Sequence, residues 1–165
     1  MSDSKSLQAG DQAPDFSLPS QTGTLVRLSE YVGKRVVVLY FYPKDNTRGC
    51  TAEACAFRDS YEVFTEAGAE VIGISSDSVD SHEEFASQYR LPFVLVSDRH
   101  GEVRKRFGVP SMMGVVPGRV TFVIDRKGTI RHVFSSMTQI DQHVGEALAI
   151  VKELQAEDQS QRASD

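Results

Sequence analysis

The feature that most constrains this chain is an apolar run that leads into a turn and a cysteine-bearing helix. Residues 36–41 are all β-branched, leucine or aromatic, which is typical of a buried strand. Pro43 ends that strand, because proline has no backbone N–H to donate to a neighbouring strand. Beyond the turn, aromatic residues recur at the spacing of one helix face: Phe57, Tyr61 and Phe64. The sequence therefore predicts a strand, a turn and an amphipathic helix, with Cys50 at or near the first helical turn.

The position of Cys50 favours reactivity. A thiol in the first turn of a helix lies near free backbone N–H groups and the positive end of the helix dipole, and both favour the nucleophilic thiolate. Cys55 follows five residues later. On a regular helix the two Cα atoms would be roughly 8.5 Å apart, whereas a disulfide needs them within about 7 Å. The two cysteines can therefore pair only if the start of the helix unwinds.

These residues resemble the active site of a known family. The pattern Pro43-x-x-x-Thr47-x-x-Cys50 resembles the motif of the peroxiredoxins, which are thiol-dependent peroxidases, and the second cysteine at Cys55 resembles their bacterioferritin-comigratory, or Q-type, branch. The resemblance covers roughly residues 8 to 155 without large gaps. One departure is Arg48, where many members of this branch have proline.

The resemblance implies a role for each residue of the motif. The Cys50 thiolate would attack a peroxide and become a sulfenic acid, and Cys55 would then form an intramolecular disulfide with it. Thr47 would place a hydroxyl beside the sulfur, and Pro43 would shield the sulfur from water. Arg119, in a segment resembling the family's arginine-bearing strand, would stabilise the thiolate and the charge that develops on the peroxide.

The resemblance also implies substrates and partners. Hydrogen peroxide and organic hydroperoxides would be the substrates, and thioredoxin or a similar dithiol donor would reduce the disulfide. We expect no cofactor and no bound metal, and a monomer or weak dimer.

The order of predicted elements indicates the fold class. Strands alternate with helices and are followed by a hairpin and a closing helix, which predicts an α/β layer structure. The resemblance makes this a thioredoxin-like fold, with a central mixed β-sheet flanked by helices and an N-terminal β-hairpin extension within residues 16–28. We expect one domain over residues 1–165, with flexible termini at 1–8 and 156–165. The loop at 108–118, rich in glycine, proline and methionine, could border the active site or be a surface connection.

Composition narrows the functional classes. A chain of 165 residues, 40% hydrophobic and 25% charged, suits one soluble domain. The net charge of −5 argues against a nucleic-acid partner. No apolar stretch is long enough to span a membrane, and the polar N-terminus lacks the apolar core of a signal peptide. We therefore expect a cytoplasmic protein, in which two cysteines are more often reactive than structural.

Two other functions compete with a peroxidase. A dithiol electron carrier or redox sensor is one, although thioredoxin-type carriers use Cys-x-x-Cys and this chain has four residues between Cys50 and Cys55. A metal-binding module is the other, although there is no second ligand pair nearby. Simpler roles also exist for single residues, since Thr47 could be only a helix cap and Cys55 could be only a packing residue. The four histidines lack ligand spacing, so we interpret them as surface or core residues: His82, His100, His132 and His143.

Overall fold

A computed structural model describes residues 6–112 and 116–164 of the chain. In chain order the elements are β1 (Ser17–Pro19), β2 (Leu25–Arg27), a 3₁₀ turn (Leu28–Glu30), β3 (Val36–Phe41), α1 (Arg48–Glu66), β4 (Ala69–Ser75), α2 (Val79–Tyr89), β5 (Val94–Ser97), α3 (Glu102–Arg106), β6 (Ser111–Met112), β7 (Val116–Pro117), β8 (Val120–Ile124), β9 (Ile130–Ser135) and α4 (Ile140–Ser164).

The central sheet has five strands in the order β5-β4-β3-β8-β9. β3, β4 and β5 are parallel to one another, and α1 and α2 make the two crossovers between them. β8 runs antiparallel to β3, and β9 runs antiparallel to β8. β1 and β2 pair as an antiparallel hairpin near the N-terminus. The predicted mixed sheet with an N-terminal hairpin is confirmed.

Strand β3 is the central strand of the sheet, and both of its faces are covered. Val36, Val38 and Tyr40 pack into the apolar cluster that contains residues of α1 and α4. Val37 and Leu39 point into a second cluster on the other face, with residues of β2, α3 and β8. Alternate residues of a strand face opposite sides of a sheet, so a strand buried on both sides must be apolar throughout. This explains the unbroken apolar run in the sequence.

The C-terminal segment differs from the expectation of a flexible tail from residue 156. Helix α4 continues to Ser164. Glu157 accepts a hydrogen bond from Arg131 of β9 at 2.8 Å, and Asp158 forms an ion pair with Arg126 in the β8–β9 turn. These contacts attach a polar stretch of helix to the sheet, which composition alone could not predict.

Two other expectations concern segments that are described only in part. Residues 1–5 lie outside the described residues, whereas Leu7 donates a backbone hydrogen bond to the carbonyl of Phe107 at 3.3 Å. Of the loop at 108–118, residues 113–115 lie outside the described residues, and β6 pairs with β7 on either side of them. Whether this loop borders the active site stays a prediction.

Candidate active site

The thiol of Cys50 is buried in the first turn of α1. Thr47 is the residue before the first helical residue, Arg48, so Cys50 lies where the sequence placed it. Only 1% of Cys50 is exposed, and it belongs to the same apolar cluster as Tyr40 and Ala54. The surrounding apolar side chains keep bulk water from the sulfur.

The hydroxyl of Thr47 does not cap the helix. Thr47 has an extended backbone, and its side chain makes no cap hydrogen bond. The hydroxyl instead donates to the carbonyl of Lys44 at 3.0 Å, within the loop that precedes α1. Pro43, at the start of that loop, is partly buried. The simpler interpretation of Thr47 as a side-chain cap therefore does not describe this structure.

A buried carboxylate anchors the loop between β3 and α1. Asp45 accepts hydrogen bonds from the hydroxyls of Tyr42 at 2.6 Å and Ser81 at 2.8 Å. Its Oδ2 also lies 2.7 Å from Nδ1 of His82. The backbone N–H of Asp45 donates to Asp77 at 2.6 Å. Burial by itself raises the pKa of Asp45, but the hydrogen bonds and the charge of His82 hold it below its ordinary value.

His82 connects this loop to the sheet. Its side chain is completely buried, and Nε2 lies 3.0 Å from the carbonyl of Val96. A carbonyl can only accept, so Nε2 donates to it. The other ring nitrogen faces Asp45. From the sequence we interpreted His82 as a surface or core residue, and the structure places it in the core, where it contacts the cysteine loop through Asp45.

Arg119 lies against the first turn of α1. It directly precedes β8, and the pairing of Val120 with Phe41 brings it to the end of β3 where the cysteine loop begins. Its Nε donates to the carbonyl of Met137 at 3.2 Å. A Cβ atom added to Gly49 would lie 2.9 Å from Nη2 of Arg119, so glycine is what permits this close approach.

The guanidinium of Arg119 acts on both Cys50 and a buried glutamate. Its Nη1 donates to Oε1 of Glu53 at 2.6 Å, and only 4% of Arg119 is exposed. Burial alone would lower the pKa of Arg119, but Glu53 and Cys50 raise it above its ordinary value. The structure thus brings Arg119, Cys50 and Glu53 into one electrostatic cluster.

Sequence reasoning missed Glu53. The residue is completely buried, and burial raises its pKa to about 7, although Arg119 opposes the increase. Its other oxygen, Oε2, lies 3.7 Å from Nδ1 of His143. One signal was available, because Glu53 follows Cys50 by three positions and therefore shares its helix face. A carboxylate on an otherwise apolar face needs a partner inside the protein.

His143 of α4 completes the cluster. Its Nε2 lies 2.7 Å from the carbonyl of Ser136 and its Nδ1 lies 2.8 Å from the hydroxyl of Thr121. Burial lowers the pKa of His143 below its ordinary value, and Arg119 lowers it further. We therefore take the ring to be neutral near pH 7.

Cys55 lies one and a half turns beyond Cys50 on the same helix. Both thiols are free, and Cys55 is partly exposed. Because α1 is continuous from Arg48 to Glu66, the two Cα atoms are beyond the reach of a disulfide in this state. Among the described residues, no three histidine, cysteine, aspartate or glutamate side chains are grouped as a metal site would require.

Comparison with known proteins identifies the family. The sequence model of the AhpC/TSA family matches residues 9–133 of this chain. The chain is 53% identical over 149 residues to a chloroplastic peroxiredoxin Q of Triticum aestivum, covering 90% of this chain and 68% of the relative. It is 51% identical over 146 residues to a chloroplastic peroxiredoxin Q of Sedum lineare, covering 88% and 78%. The chain therefore belongs to the AhpC/TSA family.

Solved structures agree with this result. The peroxidoxin BcpB of Mycobacterium tuberculosis superposes with a TM-score of 0.84 at 42% identity, over 90% of this chain and 98% of the other. A bacterioferritin comigratory protein of Xanthomonas campestris, described for its alkyl peroxide reduction activity, has a TM-score of 0.79 at 30% identity, over 93% and 99%. The resemblance to Q-type peroxiredoxins and the thioredoxin-like fold are confirmed. The family supports a thiol-dependent peroxidase.

One expectation from the sequence was wrong. We expected a cytoplasmic protein, but the relatives from Triticum aestivum, Sedum lineare and Arabidopsis thaliana are chloroplastic proteins. A polar N-terminus and a soluble composition do not distinguish one aqueous compartment from another, which is why composition misled. Separately, no helix in the described part of the chain is both long and apolar enough to cross a membrane.

Proposed function

We propose that this chain reduces hydrogen peroxide and organic hydroperoxides through a sulfenic acid on Cys50 and a disulfide between Cys50 and Cys55. A dithiol protein such as thioredoxin would then reduce the disulfide. The observation that carries the proposal is the guanidinium of Arg119, which is buried against the first turn of α1 and interacts with Cys50. A fixed positive charge at this position stabilises an anionic nucleophile and the oxygen anion that forms during the reaction.

The first step is a displacement on oxygen. The Cys50 sulfur donates an electron pair to the terminal peroxide oxygen, the S–O bond forms and the O–O bond breaks. The sulfur is oxidised, the peroxide is reduced, and the remaining oxygen leaves as water or an alcohol after it takes up a proton. The apolar residues around Cys50 limit the access of water to the sulfur, and we assign the same role to Pro43. We assign Thr47 to the peroxide because its hydroxyl lies in the same loop, where it would turn from Lys44 to the substrate.

The second step requires a conformational change. The Cys55 thiol attacks the sulfenic sulfur, a disulfide forms and water leaves. Because a regular helix keeps the two Cα atoms too far apart, the first turns of α1 must unwind. Cys55 is partly exposed, so its movement does not require a large part of the core to open. This unwinding would expose the disulfide to a dithiol reductant.

The relatives support the choice of substrate. The Xanthomonas campestris protein with alkyl peroxide reduction activity shares 30% identity and the fold. The monomer or weak dimer expected from the sequence, and the absence of nucleic-acid and membrane partners, remain predictions about this chain.

A coupled assay tests the proposed function. NADPH consumption would be followed with thioredoxin, thioredoxin reductase and either hydrogen peroxide or an organic hydroperoxide. We expect turnover with the wild type and none with Cys50→Ser. Cys55→Ser should still consume one equivalent of peroxide but should not turn over with thioredoxin. Full thioredoxin-dependent turnover by Cys55→Ser would show that Cys55 is not the resolving cysteine. Wild-type activity in Cys50→Ser would show that Cys50 is not the peroxidase nucleophile.

A further inference from the structure

One carboxylate oxygen in the active-site cluster has no hydrogen-bond partner. Among the described residues, three buried side-chain polar atoms lack one, and they are Oε2 of Glu53, Nε of Arg35 and the hydroxyl of Tyr40. Glu53 is completely buried, and its other oxygen is occupied by Arg119. An ionised oxygen buried without a donor is costly, whereas a protonated carboxyl carries no net charge to compensate. The geometry therefore favours a proton on Oε2.

The group that faces this oxygen is an acceptor. Nδ1 of His143 lies 3.7 Å from Oε2. Since Nε2 donates to the carbonyl of Ser136, the Nδ1 of a neutral ring carries no hydrogen, and it accepts from the hydroxyl of Thr121. A ring nitrogen without a hydrogen cannot donate to an ionised Glu53. At 3.7 Å it therefore offers an ionised Oε2 neither a hydrogen nor a positive charge.

Charge balance gives the same result. The charged and titratable groups that face Glu53 are Arg119 before β8, His143 of α4 and Tyr40 of β3, and Cys50 of α1 acts on the same guanidinium. Glu146 lies further out and acts on His143. With Cys50 as a thiolate, the positive charge of Arg119 is already balanced. A second negative charge on Glu53 would be unbalanced in this buried cluster, so like-charge repulsion favours its protonated form.

We propose that Glu53 is the proton carrier of the peroxide step, protonated while Cys50 is a thiolate and ionised once Cys50 is a sulfenic acid. This inference rests on the proposed function. The Cys50 thiolate, the peroxide and the Glu53 carboxylic acid become the Cys50 sulfenic acid, an alcohol or water, and the Glu53 carboxylate. The proton of Glu53 goes to the oxygen that leaves. Arg119 keeps its charge throughout, so the net charge of the cluster is the same before and after the step.

The cycle closes when the disulfide is reduced. Cys50 returns as a thiol, and its proton passes back to the Glu53 carboxylate, which regenerates the thiolate and the carboxylic acid. The pKa of Glu53, raised to about 7 by burial, makes both forms accessible near neutral pH. His143 is then a positioning residue, because its uncharged nitrogen faces the proton-bearing oxygen and offers it no donor.

Redox difference infrared spectroscopy tests this directly. In a Cys55→Ser background, the reduced protein would be compared with protein oxidised by one equivalent of hydrogen peroxide. We expect the C=O band of a protonated carboxyl to disappear on oxidation and a carboxylate band to appear. Both changes should be absent when Glu53→Gln is added. Glu70→Gln, which removes another carboxylate that contacts α1, should leave them intact.

The pH dependence of the peroxide step gives a second measurement. By stopped-flow, the wild-type rate should fall as pH rises above about 7, because Glu53 loses its proton. Glu53→Gln should react about 100-fold more slowly and without that fall. If Glu53→Gln does not fold, His143→Gln provides a second test. This variant keeps Glu53 but changes its surroundings, so it should shift the pH at which the carboxyl band is lost.

The outcomes separate this inference from the proposed function. If mass spectrometry shows the sulfenic acid on Cys50 but the carboxyl band does not change, the proton-carrier role is wrong and the peroxidase stands. The same conclusion follows if the fall in rate above pH 7 persists in Glu53→Gln. If peroxide produces no sulfenic acid on Cys50, both proposals are wrong.

Discussion

Arg119 and Glu53 are 66 positions apart in the chain, yet their side chains form a 2.6 Å hydrogen bond inside the protein. The bond joins the strand that Arg119 precedes to the helix that carries Cys50. Because the guanidinium also lies against Gly49, it is held on both sides. The position of the positive charge beside the thiol therefore depends on a second buried residue of the cysteine helix.

We predict that Arg119→Met slows the peroxide step by at least about 100-fold, since a fixed charge that stabilises the transition state is lost. Stopped-flow measurement of the second-order rate checks this. The matched control is Arg126→Met, which removes a similar side chain from the β8–β9 turn and should leave the rate unchanged. An unchanged rate in Arg119→Met would show that the charge does not act on the reaction.

Disulfide formation should unwind only the start of α1. Hydrogen exchange of the reduced and disulfide forms should show loss of protection at amides of roughly residues 50 to 56. Amides near Phe64 should keep theirs, because Phe57 and Phe64 are completely buried and hold the rest of the helix on the sheet. Equal protection of the helix in both forms would instead point to an intermolecular disulfide.

The same measurement can test the effect of Arg48. Proline at this first helical position would restrict the backbone before Cys50, because its ring fixes φ. We therefore expect Arg48→Pro to slow disulfide formation without changing sulfenic acid formation. Faster disulfide formation in the variant would contradict this account.

Loss of the loop anchor should release the segment before Cys50. Asp45→Ala leaves His82 buried without its carboxylate, and we expect the free energy of unfolding to fall by about 3 kcal/mol. Exchange of amides in residues 44–49 should accelerate. Ser78→Ala is the control, since Ser78 caps α2 close by, and its loss should cost about 1 kcal/mol without affecting those amides. Denaturant unfolding with hydrogen exchange distinguishes the two.

Glu53 should make stability depend on pH in one direction. Burial raises its pKa from 4.5 to about 7 in the folded protein. Below pH 4.5 the group is protonated in both the folded and unfolded states and contributes nothing. As pH rises towards 7 the unfolded state ionises first, so the free energy of unfolding falls, by up to about 3 kcal/mol.

The variant Glu53→Gln isolates this contribution. It lacks the titrating group, so its stability relative to the wild type should increase as pH rises from 4.5 to above 7. Denaturant unfolding at several pH values provides the comparison, with Glu70→Gln as the control. A constant difference between variant and wild type across that range would contradict the raised pKa of Glu53.

The local sequence was sufficient to predict the central strand β3 and the helix α1 that follows it. Residues 36–41 could only form a strand covered on both faces, and the aromatic spacing after Pro43 set the face on which α1 packs. The position of Cys50 in the first helical turn follows from the same pattern, and so does the separation between Cys50 and Cys55. These conclusions depend on neighbouring residues along the chain, which secondary-structure periodicity describes well.

Other features could not be derived in this way. The sequence presented the last ten residues as a polar tail, but ion pairs with Arg126 and Arg131 keep them helical to Ser164. His82 and His143 looked like isolated histidines, yet each has both ring nitrogens occupied inside the protein. Their partners come from distant segments, so spacing along the chain carried no signal for them.

The sequence by itself determined the α/β fold class, the place of Cys50 in the first turn of α1 and its separation from Cys55, because each depends on local periodicity or on a short motif. The tertiary structure alone decided which buried charges meet. Helix α1 contributes Cys50 and Glu53, and the antiparallel pairing of β8 with β3 places Arg119 beside them. Helix α4 then packs His143 against the same carboxyl. The physical reason is burial, since removing these groups from water makes each charge depend on partners that only the packed chain brings together.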